Sequence, residues 1–201
     1  GSGGSVVGGA GDSGIYRPPN EQEHRMVARA GQVPGIEPSD SAEAKDFFKI
    51  AFELSEQFDR PFIFRTTTRL AHSQGLVELK ERVEPEDKPY EKNIRKNVMM
   101  PGNAKFRHIE IEKRNNELAE AANTLSINTV EMNDTKIGVI TSGIPYQYVK
   151  EALPEASVLK LGMVNPLPRK LIEELAAKVE RLYIVDDLDH GIENRFNSWV
   201  I

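Results

Sequence analysis

Apolar and polar positions along the chain change period several times, and each change marks an element. VPGIE, from Val33 to Glu37, is a short apolar run ended by Pro38. PSDSAE then supplies a helix start, with Asp40 as N-cap and Glu43 three residues on to reach back toward its amide. Ala44, Phe47, Phe48, Ala51, Leu54 and Phe58 follow at helical spacing, which predicts one apolar stripe on a helix ending near Phe58. PFIFRTTT is apolar and β-branched, too short for a helix, and reads as a strand buried on both faces of a parallel sheet. The order strand, helix, strand predicts a β-α-β unit.

From Glu78 to Asn97 the periodicity disappears. LKERVEPEDKPYEKNIRKN is charged, carries prolines and reads as a solvated connector, followed by a polar helix from His108 to Ala122 anchored by Ile109, Leu118 and Ala121. The pattern restarts at Lys136. KIGVITSG, ASVLKLG and RLYIVDDLD read as strands, and IPYQYVKEAL and PLPRKLIEELAAKV as helices, the second presenting Leu171, Ile172, Leu175 and Val179 on one face. The fold class expected is α/β, with a parallel sheet in each half.

Composition narrows the chemistry. The 201 residues carry a formal net charge of −5, which offers no general attraction to nucleic acid or to an anionic membrane. No apolar run approaches the ~20 residues of a membrane span, and a cytoplasmic setting is the expectation. The sequence contains no cysteine, so no disulfide, thiolate nucleophile or cysteine-held metal cluster can be built from this chain.

Four stretches invite a chemical reading. The glycine-rich start, GSGGSVVGGAGDSG, lacks the Lys-Ser/Thr of a phosphate loop, and Pro18 and Pro19 follow it where a helix would have to open. RTTTRLAHS ends a buried strand and gathers Arg65, Thr66, Thr67, Thr68, Arg69 and His72, donors suited to a carboxylate or pyrophosphate at the carboxyl end of a sheet. The same residues would serve equally to close a structural turn. TSGIPYQY, from Thr141 to Tyr148, opens a helix whose free amides could meet an anion. Asp186, Asp187 and Asp189 with His190 suggest a divalent ion, but adjacent residues of an extended strand point to opposite faces, which favours capping and solvation.

Read together, NEQ at Asn20 to Gln22, EPSDSAEAKDF, RTTTRLAHS and ITSGIPYQYVKEALPEASVLKLG resemble the large (alpha) subunit of indolepyruvate:ferredoxin oxidoreductases, members of the thiamine-dependent 2-oxoacid:ferredoxin oxidoreductases. The resemblance implies a fragment with residues 1–76 as a partial thiamine pyrimidine-binding domain, 77–134 as a charged linker with a polar helix, and 135–201 as a transketolase C-terminal-like α/β domain. It implies a parent enzyme that oxidatively decarboxylates aryl 2-oxo acids such as indolepyruvate to acyl-CoA. Thiamine diphosphate and Mg²⁺ would carry the chemistry, and [4Fe-4S] clusters would pass electrons to ferredoxin. Its partners would be the remaining domains of the large subunit, a smaller (beta) subunit and ferredoxin.

The family's catalytic glutamate falls upstream of this stretch, and its cofactor and cluster motifs fall in other domains. No catalytic residue or metal ligand is therefore assigned, no cofactor is expected to be fully bound, and turnover by this chain alone is not expected. Site-vicinity positions carried over are Tyr16, Asn20, Glu21, Arg65, Thr66, Thr67, Arg69 and His72. Asp12, Gly14 and Gln22 also match the family loop, whereas Tyr16 stands where the family has His, and Arg17, Pro18 and Pro19 depart from its Ser-Ser-Gln. The competing reading is a non-catalytic assembly module. A free-standing nucleotide binder would need the missing glycine fingerprint. Glycines at positions 8, 9 and 11, where the family has β-branched or acidic residues, predict a frayed or loosely paired first strand.

Overall fold

The computed structural model describes residues 3–11, 23–84, 89–187 and 190–199. In chain order they form β1 (Val6–Ala10), α1 (His24–Ala30), β2 (Gly35–Ile36), α2 (Ser41–Phe58), β3 (Phe62–Thr66), α3 (Thr68–His72), α4 (Ile94–Asn97) and α5 (Pro101–Ala121). There follow β4 (Thr129–Glu131), β5 (Asp134–Ser142), α6 (Gly143–Ala152), β6 (Ala156–Leu161), β7 (Met163–Asn165), α7 (Arg169–Ala176), β8 (Arg181–Val185) and α8 (Gly191–Asn197). The described strands make two sheets, ordered β1-β3-β2-β7 and β4-β6-β5-β8. In the first, β1 and β2 flank β3 in parallel; in the second, β6 and β8 flank β5 in parallel. The α/β class is as the sequence predicts. Two short strands add to it: β4 runs antiparallel to β6, and β7 leaves the second half to pair antiparallel with β2.

Helix α2 begins where the sequence places it, because Asp40 accepts a hydrogen bond from the Glu43 amide at 2.8 Å. The Glu43 carboxylate reaches one residue further than expected, accepting from the Ser39 amide at 2.9 Å and the Ser39 hydroxyl at 2.7 Å. The stripe then buries Phe47, Ala51 and Leu54 against Ile36, Phe62 and Phe64. Leu118 and Ala122 at the end of α5, Ile127 and Met163 complete this core. Each such aliphatic side chain contributes roughly 1.5–3 kcal/mol on burial.

Helix α5 differs from its expectation. It starts at Pro101, with proline in the first turn, rather than at His108. Of its three expected anchors only Leu118 is buried; Ile109 faces outward at 60% exposure. The second sheet is covered on both faces. Ile140, Leu159 and Leu161 pack with Ile172 and Leu175 of α7 and Ile192 of α8, while Val139, Ala156 and Val158 pack with Val149 of α6.

Strand β1 is paired rather than frayed, in register from Val6 opposite Phe62 to Ala10 opposite Thr66. One of its two glycines has a packing reason, while Gly8 faces open space. A Cβ on Gly9 would stand 2.5 Å from the His24 ring, so the missing side chain lets α1 lie close on the strand.

Candidate functional site

The carboxyl ends of β2, β3, β5 and β8 meet in one region, and each brings a charged or hydroxyl side chain. Arg65, the next-to-last residue of β3, is buried to 1% exposure. Its Nη1 hydrogen-bonds Glu37, just past β2, and donates to Asp187 Oδ2 at 3.0 Å; its Nη2 lies 3.7 Å from Glu23 Oε2. Arg25 on α1 mirrors it, with Nε on Glu23 Oε1 at 3.1 Å, Nη1 on Asp186, and Nη2 4.0 Å from Asp187. Asp186 also accepts from the Ile192 amide at 2.8 Å, which starts α8. Glu37 accepts at its other oxygen from Ser142 Oγ at 3.1 Å. Two guanidinium groups and four carboxylates thus hold the two sheets against each other.

Burial works against each charge in this cluster, and the partners decide the outcome. Burial would lower the affinity of both guanidinium groups for their protons, yet the surrounding carboxylates, Glu37 first, raise Arg65 and Arg25 above the ordinary arginine value. For Glu37 burial prevails: it pushes the carboxyl above its usual range against the pull of Arg65 and Arg25. The carboxylate sits against the first residue of α6, where Gly143 has φ +55° and a Cβ would stand 2.9 Å from Glu37 Oε1. The turn that the sequence offers as an anion site therefore meets a carboxyl group of the protein itself, at the positive end of a helix.

Outside this cluster lies an open trough between α3 and α6. A cleft of about 640 Å³ is lined by Thr68, Arg69, His72, Ile144, Tyr148 and Asp187 among others. A neighbouring hollow of about 410 Å³ shares Arg69, Ser73 and Ile144 with it and extends past Asp40 and Gln147. Arg69 hydrogen-bonds the Tyr148 hydroxyl, and its guanidinium lies over the Tyr148 ring, 5.3 Å from the centroid.

The RTTTRLAHS donors are therefore divided. Arg65 and Thr67 turn inward: Thr67 caps α3, its hydroxyl accepting from the Leu70 amide at 3.4 Å. The Thr66 carbonyl accepts from the Gly11 amide at 3.0 Å, and Arg69 and His72 are exposed to the trough. Tyr16, Asn20 and Glu21, with Asp12, Gly14 and Gln22, lie outside the described residues. Asp189 also lies outside them, and His190 pairs with Glu193 at 2.7 Å. Among the described residues no group of three or more His, Asp or Glu side chains could hold a metal ion. Sequence reasoning missed Glu23, Arg25 and Glu37. The one local signal was a carboxylate ending an apolar strand, VPGIE, which a buried Arg65 would need as counter-charge.

No family model matches the sequence. The chain is 36% identical over 198 residues to the indolepyruvate oxidoreductase subunit IorA of Archaeoglobus fulgidus, covering 95% of this chain and 32% of that protein. It is 36% identical over 197 residues to IorA of Methanothermobacter thermautotrophicus and 35% over 210 residues to IorA of Pyrococcus horikoshii, again covering 32% of each. Among solved structures, the fold is shared with the 2-oxoglutarate:ferredoxin oxidoreductase of Magnetococcus marinus, solved with 2-oxoglutarate, coenzyme A and succinyl-CoA bound. That match has a TM-score of 0.66 at 12% identity, over 97% of this chain and 43% of the other. The chain spans about a third of the length of the curated relatives it matches, and over that third its sequence is similar to the indolepyruvate oxidoreductase IorA subunits.

Proposed function

We propose that this chain is the part of an indolepyruvate:ferredoxin oxidoreductase that locks two α/β sheets of the large subunit together. In the parent enzyme, aryl 2-oxo acids would be oxidatively decarboxylated to acyl-CoA, with electrons passed to ferredoxin. The observation that supports the reading is the agreement in sequence with IorA subunits along nearly the whole chain. The buried Arg25–Arg65 cluster accounts for the architectural part of the role, since it joins the ends of β2, β3, β5 and β8. The other domains of the large subunit, a smaller subunit and ferredoxin are the partners on this reading, and the cytoplasm is the setting.

The buried cluster does not fit the parent's cofactors. Arg25 and Arg65 face four carboxylates, so the cluster carries a local excess of negative charge and repels a pyrophosphate. No cysteine is present to ligate a [4Fe-4S] cluster, and the described residues include no metal-binding group. Thiamine diphosphate, Mg²⁺ and the clusters are accordingly assigned to other parts of the enzyme, and this chain to positioning them.

A chimera tests the reading: the matching third of the Archaeoglobus fulgidus subunit is exchanged for this chain and assembled with its partner subunit. Indolepyruvate-dependent electron transfer is expected in the chimera. A complex that assembles and folds but transfers no electrons overturns the proposal. Calorimetry on the chain alone separates architecture from cofactor binding. Saturable uptake of thiamine diphosphate below about millimolar, roughly −4 kcal/mol or better, would contradict the assignment of the cofactor elsewhere.

A further inference from the structure

We propose that the groove between α4 and α5 is a docking surface for an acidic protein segment that presents an apolar side chain, with Phe106 and Ile109 as the apolar seat and Arg95 and Arg107 as the cationic rim. This face is the electrostatic opposite of the buried cluster. Between Lys92 and Arg114 the chain carries seven Lys and Arg against two Glu, whereas the molecule as a whole has a formal net charge of −5.

Several of these cations converge on one carboxylate. Asp59, which closes α2, pairs with Lys96 at 2.6 Å and Arg114 at 3.0 Å, and Arg107 lies 3.9 Å away. Burial would raise the Asp59 carboxyl, but Lys96, Arg114 and Arg107 hold it below its usual range. One carboxylate cannot neutralise three cations, and Arg95 and Lys105 are exposed with no ion pair among the described residues. An acidic molecule therefore presents one positive face, complementary to the carboxylates of a partner.

The apolar part of the face points to a protein as that partner. Phe106 and Ile109, three residues apart on one side of α5, are 69% and 60% exposed. With Arg95, Lys96 and Arg107 they line a groove of about 360 Å³, in which Glu110 is the one carboxylate. That volume is at the lower end of ligand-sized hollows and takes a side chain rather than a bilayer, which needs a continuous apolar stripe. Aromatic and aliphatic anchors inside a charged rim are the anatomy of a protein interface, and a phosphate backbone would leave the anchors unused. No cysteine in the chain can hold a cluster, so the surface is a seat for assembly rather than for electron transfer. It stands on this face alone and does not require the oxidoreductase reading.

Fluorescence anisotropy of three labelled peptides titrated with the whole chain tests it: the acidic apolar Glu-Glu-Leu-Phe-Glu-Glu, the acidic polar Glu-Glu-Ser-Ser-Glu-Glu and the basic Lys-Lys-Leu-Phe-Lys-Lys. Saturable binding of the first is expected by about 1 mM, with the other two at least about fivefold weaker. Arg95→Glu and Phe106→Ser are each expected to weaken the first peptide about fivefold. Circular dichroism checks the fold of each variant, and Ile109→Ser takes the place of Phe106→Ser if that variant does not fold. No saturable binding of the acidic apolar peptide, equal binding of all three, or unchanged affinity in the folded variants overturns the proposal. Binding to phosphatidylserine vesicles without binding to the peptide also overturns it, in favour of a membrane surface. Self-association abolished by Phe106→Ser overturns it in favour of an interface between copies of this chain.

Discussion

Replacing Arg65 by Met would leave Glu37 and Asp187 without the guanidinium that lies between them. Breaking a buried ion pair by removing one partner costs about 3–5 kcal/mol, because the remaining charge is left uncompensated. Urea unfolding of Arg65→Met is expected to show a loss of that order. Gly143→Ala adds a left-handed backbone penalty of about 1–2 kcal/mol at φ +55° and pushes a methyl group to 2.9 Å from Glu37 Oε1, so its midpoint should fall as well. Glu37 itself predicts a pH dependence. Its folded carboxyl is raised, so the folded state holds the proton more tightly than the unfolded one, and stability falls as pH rises above the ordinary glutamate range. Glu37→Gln should flatten that limb of the stability curve; an unchanged slope would assign it to other groups. None of these partnerships is legible locally, since Arg65 lies 28 residues from Glu37 and 122 from Asp187.

At the scale of elements, the test is whether α5 is a linker or part of the core. Leu118 is fully buried in the first core, and truncating such a leucine costs about 2–5 kcal/mol. Leu118→Ala is expected to fall in that range by denaturant unfolding. Ile109→Ser, on the exposed face of the same helix, should change stability by no more than about 0.5 kcal/mol. Equal costs at the two positions would contradict the packing described. Helix α2 was readable because its cap and its stripe lie within a few residues of each other, and Asp40→Ala should cost about 1 kcal/mol. The start of α5 was not readable, because the polar residues after Pro101 show no period and the one buried anchor sits near its end. Strands β4 and β7, of three residues each, are too short to show alternation, and pairing with β6 and β2 defines them.

For the whole molecule, the two sheets are tied at several places. Strand β7 pairs with β2, the Asn165 side chain donates to the Val33 carbonyl at 2.7 Å, and Arg25 reaches Asp186. Trp199, packed on the second core, and far-UV circular dichroism should therefore report one coincident unfolding transition. Two separated transitions would show that the sheets unfold independently. The sequence by itself determined the order of strands and helices, the cap and buried face of α2, and the resemblance to the IorA subunits. Those signals are carried by neighbours three or four residues apart and by contiguous motifs. Tertiary structure alone decided which arginine is a structural counter-charge and which faces solvent. Arg65 and Arg69 stand four residues apart in one motif, and only the approach of β2, β8 and α6 gives the first its carboxylates and the second its tyrosine.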